Sequence, residues 1–164
     1  MRHILRRREL IEDDWRYVGE TVAEAAALIV PFAEFRTNPG KWRTYPGALG
    51  VRLTAADRVE DIGADLTRFT LIAVEFPTPT DGRGYSHGRI LRTRLQFQGE
   101  LRAVGAVKQD QIFFLARCGF DSFELAEGEN VEEALRALQR YTVAYQPADA
   151  RVPISRQRFF ARGN

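Results

Sequence analysis

The sequence predicts an α/β fold: repeated strand–helix units with a mostly parallel sheet, either an open three-layer sheet or part of a barrel, after a short N-terminal β arm. Strand and helix patterns alternate four times between residues 49 and 141, and such alternation with short links is typical of right-handed βαβ units. Residues 70–76, TLIAVEF, are nearly all apolar, as in a strand buried on both faces of a parallel sheet. A chain of 164 residues, 45% of them hydrophobic and 28% charged, has the size and composition of one globular domain.

We expect a single α/β domain over residues 1–145, beginning with an N-terminal arm (residues 1–24) and followed by a basic C-terminal tail (residues 146–164). The arm is predicted to be a short strand or hairpin that ends in the polar turn EDDW, residues 12–15. Trp15 is expected to anchor the arm to the core, and the alternative is that it stacks on a ligand. The tail is either disordered or docks Phe159 and Phe160 on the domain or on a partner.

The segment between the arm and the first unit is predicted to contain one strand and one loop. Ala25–Phe35 is apolar, which predicts a buried strand closed by Pro31. Thr37–Gly47 contains Asn-Pro-Gly and Pro-Gly, and these dipeptides are typical of turns and loops.

The first two strand–helix units begin with the predicted strands Gly50–Leu53 and Thr70–Phe76. Thr54, with Asp57 three residues later, is close to a capping box and predicts the start of a short helix. The second helix follows a loop rich in Pro and Thr. The apolar positions of the two helices have helical spacing: Val59, Ile62 and Leu66 in the first, Ile90, Leu91 and Leu95 in the second.

The last two units have the predicted strands Glu100–Val104 and Asp121–Leu125. The helix between them, Val107–Cys118, is expected to end at Gly119, because glycine tolerates the left-handed conformation there. Asn130 is predicted to cap the final helix. The buried stripe of that helix is expected at Val131, Ala134, Leu135, Leu138 and Tyr141.

Composition excludes several function classes. A single cysteine, Cys118, cannot form an intrachain disulfide, and with only His3 and His87 besides it a zinc or haem site is hard to assemble. No metal or cofactor is therefore evident. The net charge of +2 gives no strong field for nucleic acid. No apolar run is long enough for a membrane span or a signal peptide, so we expect a cytoplasmic protein without nucleic-acid or membrane partners.

The loop after Phe76 carries the strongest signal for a ligand site. Parallel α/β sheets bind ligands outside the carboxyl ends of their strands. Glycines flank Arg83 and would let backbone N–H groups approach a ligand, while the next helix would add donors at its N-terminus. A site for a small anion or a polar ligand is therefore predicted at Asp81, Gly82, Arg83, Gly84, Tyr85, Ser86 and Arg89.

Two alternatives exist for this loop. It is either a glycine-rich turn with solvated arginines or a variant of a dinucleotide-binding turn. The second is disfavoured, because five residues separate Phe76 from Gly82, whereas a Rossmann turn places its first glycine directly after the strand.

Polar residues in the neighbouring elements complete the predicted site. Arg102 lies in an otherwise apolar strand, so it either closes a buried salt bridge with Glu75 or Glu124 or lines a pocket with them. Asp110 and Gln111 are either surface residues of a first helical turn or face the same pocket. A nucleophile–base pair of Ser86 and His87 is disfavoured, because adjacent helical residues point about 100° apart and no third triad member is evident.

Several short motifs occur in a characteristic order. They are EDDW (12–15), DGRGYS (81–86), Arg89-x-x-Arg92, GELRAVG (99–105), DQ (110–111) and RCGFDSFEL (117–125). Together with the apolar strand near Leu28, they resemble a small bacterial family of unknown function that is labelled an oxidoreductase of sulfite reduction. The resemblance implies a gene neighbourhood with assimilatory sulfite reductase. It makes an accessory protein or oxidoreductase of this pathway the first functional hypothesis. The alternative is a non-catalytic binding or assembly partner of the reductase system.

The Phe-rich helix Val107–Cys118 also predicts an assembly. It carries Ile112, Phe113, Phe114 and Leu115 in succession, so apolar side chains point to more than one side. A helix that is apolar on more than one side is covered by more than one neighbour. We therefore expect a homodimer with this helix or the adjacent sheet edge at the interface.

Overall fold

The computed structural model describes residues 2–20 and 26–140, and these residues form one eight-stranded sheet with helices. The strands are β1 (His3–Arg6), β2 (Glu9–Glu12), β3 (Arg16–Tyr17), β4 (Ala27–Pro31), β5 (Ala48–Leu53), β6 (Leu71–Phe76), β7 (Glu100–Gly105) and β8 (Ser122–Phe123). The α-helices are α1 (Phe32–Thr37), α2 (Pro39–Arg43), α3 (Arg83–Arg89), α4 (Ile112–Arg117) and α5 (Val131–Arg140). Two 3₁₀ segments cover Val59–Arg68 and Gln109–Gln111, and a π-helical turn, Ile90–Arg94, continues α3.

The strand order is β2-β1-β8-β7-β6-β5-β4-β3, and the sheet is curled into a half-barrel. This confirms the α/β class. The prediction of a mostly parallel sheet is corrected, because the sheet is mixed. Strands β3 to β8 run parallel to one another, but β1 is antiparallel to both β8 and β2. The reason is that the N-terminal arm adds an antiparallel hairpin, β1 and β2, to the sheet edge at β8.

The two faces of the sheet carry different cores. The helix face holds most of the apolar side chains, and β6 contributes Ile72 and Val74, which are fully buried. The opposite face, here called the arm face, has a smaller apolar cluster of Ile29, Leu71, Ala73 and Val104. Trp15 and Tyr17 pack on that cluster. The structure therefore places Trp15 where the anchor prediction expects it.

Residues 32–43 differ from the prediction, since they form the helices α1 and α2 where the end of a strand and a loop were expected. Phe32 and Phe35 are three residues apart in α1 and both are buried. Asn38 caps α2 by accepting a hydrogen bond from the backbone N–H of Lys41, and Pro39 occupies the first helical position. Asn followed by Pro is a helix start as well as a turn signal, and the prediction chose the turn.

The other helix signals are largely confirmed. Asn130 Oδ1 accepts the backbone N–H of Glu133 at 3.1 Å, so it caps α5 as expected. Gly119 follows α4 with a φ of +101°, which is the left-handed conformation predicted there. Thr54 and Asp57 do pair, but they close a turn, and the helix begins only at Val59. The predicted Tyr141 position and the tail lie outside the described residues.

Helix α3 packs closely against two aromatic rings because it carries two glycines four residues apart. A Cβ atom at Gly84 would be 2.5 Å from the ring of Phe76, and one at Gly88 would overlap the ring of Phe120. Gly82, by contrast, has open space around its missing Cβ. Two of the three glycines in this segment are therefore required for packing. In the part of the chain described, no helix is long and apolar enough to cross a bilayer.

Replacing Gly84 by alanine is expected to lower the free energy of unfolding by about 1–3 kcal/mol, because the added methyl group must displace the Phe76 ring. Gly82→Ala is the matched control and should change stability by about 0.5 kcal/mol or less. Chemical denaturation of both variants measures the difference. Equal stability of the two variants would contradict the packing role of Gly84.

Candidate functional site

A groove lies at the carboxyl ends of β5 and β6, where the fold class places ligand sites. It consists of two adjoining depressions of about 220 and 380 Å³ that share Ala55, Ala56 and Arg83. We call it the Arg83 groove. Its lining comes from the loop after β5, the end of β6 and helix α3: residues 54–60, Glu75, Pro77, Arg83, Ser86, His87 and Ile90.

Arg83 is held in the groove by Asp81. Its Nη2 atom lies 2.6 Å from Asp81 Oδ2 and its Nε atom 3.0 Å from Oδ1, while the backbone N–H of Arg83 donates to the same Oδ1 atom. The hydrogen bonds from Arg83 lower the pKa of Asp81 to about 2, so this carboxylate is charged at every ordinary pH. The Arg83 side chain is nevertheless 61% exposed. An incoming oxyanion would have to share or replace Asp81.

His87 joins α3 to the loop after β5. It is buried, and its Nε2 atom lies 2.8 Å from the carbonyl oxygen of Asp57. Because a carbonyl oxygen only accepts hydrogen bonds, Nε2 carries the proton. The Nδ1 atom is buried and has no hydrogen-bond partner within residues 2–20 and 26–140. Ser86 is exposed beside it on the groove wall.

Glu75 connects the groove with the arm face. Its carboxylate lies 3.6 Å from Arg52 Nε, and the Arg52 guanidinium lies 5.6 Å from the centre of the Tyr17 ring. The Tyr17 hydroxyl donates to Glu124 at 3.0 Å. Burial, together with the negative charge of Glu124, raises the pKa of Tyr17, so the phenol is neutral. Tyr17 thus contacts both Glu124 and the Arg52 that pairs with Glu75. Tyr17 was not among the predicted site residues.

Arg102 forms a buried ion pair, but with partners other than those predicted. Its Nη1 atom lies 2.9 Å from Asp13 and its Nη2 atom 2.9 Å from Glu100, and neither Glu75 nor Glu124 contacts it. Burial alone would lower the pKa of Arg102, but the two carboxylates raise it. The prediction missed Asp13 because this residue lies in the arm, whose path cannot be read from spacing along the strands.

The pairing around Arg102 extends into a network that ties the arm to the sheet. Asp13 also accepts from Arg2 Nε at 2.9 Å, and the backbone N–H of Asp13 donates to the carbonyl of Arg2. Glu100 also accepts from Ser122 at 2.7 Å and from Arg6 at 3.1 Å. Buried charges need this number of partners, since an unpaired one costs several kcal/mol. The network therefore positions the arm, β1, β7 and β8.

The remaining predicted residues lie beside α4, away from the groove. Gln111 Nε2 donates to the Tyr85 hydroxyl at 2.9 Å and to the carbonyl of Pro79 at 2.6 Å. The Tyr85 ring packs against Phe76 on one side and Phe114 on the other. The predicted residues are thus distributed over three places. Glu75, Arg83 and Ser86 line the groove, with Asp81 and Gly82 beside Arg83 in the loop. Tyr85, Arg89, Asp110 and Gln111 lie near α4, and Arg102 and Glu124 lie on the arm face. Gly84 is buried under Phe76.

Arg92, which belongs to one of the short motifs, has a structural role. The side chain is fully buried and donates to the carbonyl oxygens of Phe97, Gly99 and Gly119 at 2.7–2.9 Å. It thereby joins the turn after α3 to the turn after α4. Among the described residues no group of three or more His, Cys, Asp or Glu side chains is arranged to hold a metal ion.

Comparison with protein families finds one that matches residues 50–154, described as a bacterial protein of unknown function, DUF934. The chain belongs to this family. The matched range contains the Arg83 groove, Arg92 and Arg102, while the arm with Asp13 precedes it. Comparisons with curated proteins and with solved structures found no match.

Replacing Arg102 by leucine is expected to lower the free energy of unfolding by about 3–5 kcal/mol, because it removes a cation from two buried carboxylates. Arg94→Leu is the control, since Arg94 pairs with Glu60 on the exposed surface and should contribute about 1 kcal/mol or less. Urea denaturation of both variants tests this. Wild-type stability of Arg102→Leu would show that the Asp13 pairing contributes nothing.

Proposed function

We propose that the chain binds a small oxyanion or a polar metabolite in the Arg83 groove, and that it acts as an accessory protein or an oxidoreductase of assimilatory sulfate or sulfite reduction. One observation carries the binding proposal: an exposed arginine at the carboxyl ends of β5 and β6 whose only partner among the described residues is the half-buried Asp81. The pathway assignment comes from the motif resemblance alone.

The charges of the groove favour a small ligand. A guanidinium group presents two parallel N–H donors that match the oxygens of an oxyanion. Glu75 and Glu60 line the same groove and would repel a ligand with several negative charges. Its larger depression, about 380 Å³, is at the small end of the size range of ligand sites. Sulfite and sulfate fit these limits better than a nucleotide does.

The alternative function is a non-catalytic partner of the sulfite reductase system. It is favoured by Arg58 and Arg89, which are exposed and form no ion pair with a carboxylate in the described part of the chain. Such cations could dock an acidic protein surface. In this case, Arg83→Ala would not alter binding to the reductase.

Thermal-shift measurements with sulfite, sulfate, phosphate and nucleotides test the binding proposal, because a ligand raises stability by RT ln(1 + [L]/Kd). Arg83→Ala should abolish the shift and leave the unliganded melting temperature nearly unchanged. Asp81→Asn should enlarge the shift, because it removes the charge that competes with the ligand while its amide oxygen can still accept the Arg83 N–H. Unfolding of Arg83→Ala, or equal shifts in all three proteins, would refute the proposal.

Deletion of the gene tests the pathway assignment. We expect the deletion strain to grow on sulfide but poorly on sulfate or sulfite as the sole sulfur source. Complementation with the Arg83→Ala variant then separates the two functions, because only the ligand-binding function requires Arg83. Equal growth of the deletion strain on all three sulfur sources would remove the pathway assignment.

A further inference from the structure

Helix α4 and the turn before it carry a stripe of three residues, Asp110, Phe114 and Arg117, of which Asp110 and Phe114 are exposed and Arg117 is half-buried. They are spaced four and three residues apart, so they lie on one side of the helix. Phe114 is 51% exposed; Leu10, at 47%, is the other large hydrophobic residue that is exposed in the described part of the chain. An aromatic side chain with this exposure, flanked by charges of opposite sign, has the composition of an interface centre with a polar rim.

The aromatic centre of the stripe is held rigidly. The Phe114 ring meets the Tyr85 ring edge-on, with centroids 5.4 Å apart, and Tyr85 is fixed by the hydrogen bond from Gln111 and by the ring of Phe76. Phe114 therefore stands on a fixed aromatic support that joins α3 and α4. A preformed surface of this kind loses little side-chain entropy when it binds.

The charged ends of the stripe have no ion-pair partner. Asp110 and Arg117 form no salt bridge with any described residue, and the Arg117 Nε atom is buried without a hydrogen-bond acceptor among them. The stripe thus has a carboxylate at one end and a cation at the other, each without an ion-pair partner among the described residues.

We propose that this stripe is the centre of a homodimer interface in which α4 of two copies crosses antiparallel on a two-fold axis near Phe114. Read in the opposite direction, the order acidic–aromatic–basic becomes basic–aromatic–acidic. A two-fold axis therefore places Asp110 of each copy opposite Arg117 of the other and brings the two Phe114 rings together. Such self-complementarity is the requirement for an isologous interface, and it favours a second copy over an unrelated partner.

The dimer proposal is independent of ligand binding in the Arg83 groove, because none of the three stripe residues lines that groove. Either proposal can therefore fail alone. The first test is the molar mass in solution by light scattering at tens of micromolar protein. The 164-residue chain should have twice its monomer mass of 18.7 kDa, and Phe114→Arg should have the monomer mass while remaining folded.

Leu10→Arg is the matched control, because it places the same charge on the other exposed apolar residue, at the far edge strand β2, and should remain dimeric. A wild-type monomer would overturn the proposal, and so would a Phe114→Arg dimer. A monomer would also be the result if another segment of the chain or another protein covers Phe114.

Charge reversal tests the antiparallel geometry without altering the apolar centre. Asp110→Arg and Arg117→Asp should each weaken the dimer about tenfold or more, because each substitution places like charges together at both ends of the stripe. The double variant with both substitutions should recover most of the wild-type affinity. Single variants that dimerise like wild type, or a double variant that stays monomeric, would overturn this geometry.

Discussion

The pairing of Asp13 with Arg102 is the interaction on which the arrangement of the sheet depends. The two residues are 89 positions apart in the sequence, and both side chains are fully buried. Arg102 stands in the middle of a parallel strand, where its charge can be accommodated only if carboxylates reach it. One carboxylate comes from its own strand and the other from the arm. The arm therefore has to lie across this face of the sheet, and that path carries Trp15 and Tyr17 onto the apolar cluster.

Residue types within a short stretch of sequence were sufficient to predict a structural element wherever those residues favour a single conformation. The apolar run of β6, the Asn130 cap and the left-handed Gly119 each have one common structural meaning, and each was predicted correctly. Asn38-Pro39 has two meanings, and only the burial of Phe32 and Phe35 selects the helices over the loop. The mixed character of the sheet was not predictable in this way, because it depends on where a distant hairpin finds an open strand edge.

The candidate site shows the same division between local and long-range information. Position in the βα unit correctly places Arg83 and Ser86 at the carboxyl end of the sheet. The glycines around Arg83 suggested that a ligand approaches the backbone closely. In the structure, Gly84 and Gly88 have to be glycine because the rings of Phe76 and Phe120 occupy the space that a side chain would need. The roles of Asp13 and Tyr17 could not be predicted from residue spacing, because their partners, Arg102 and Glu124, lie 89 and 107 positions further along the chain. Closely spaced glycines at the start of a helix are therefore explained by tight packing of that helix as readily as by ligand binding.

The Asp81 carboxylate has a consequence for the concentration range in which the groove would work. Arg83 already has an internal anion bound to it, and any external oxyanion competes with that anion at an effective local concentration that never falls. Such competition multiplies the intrinsic affinity by the fraction of time for which the arginine is released, so the apparent Kd rises. The groove would then fill only when its ligand is abundant.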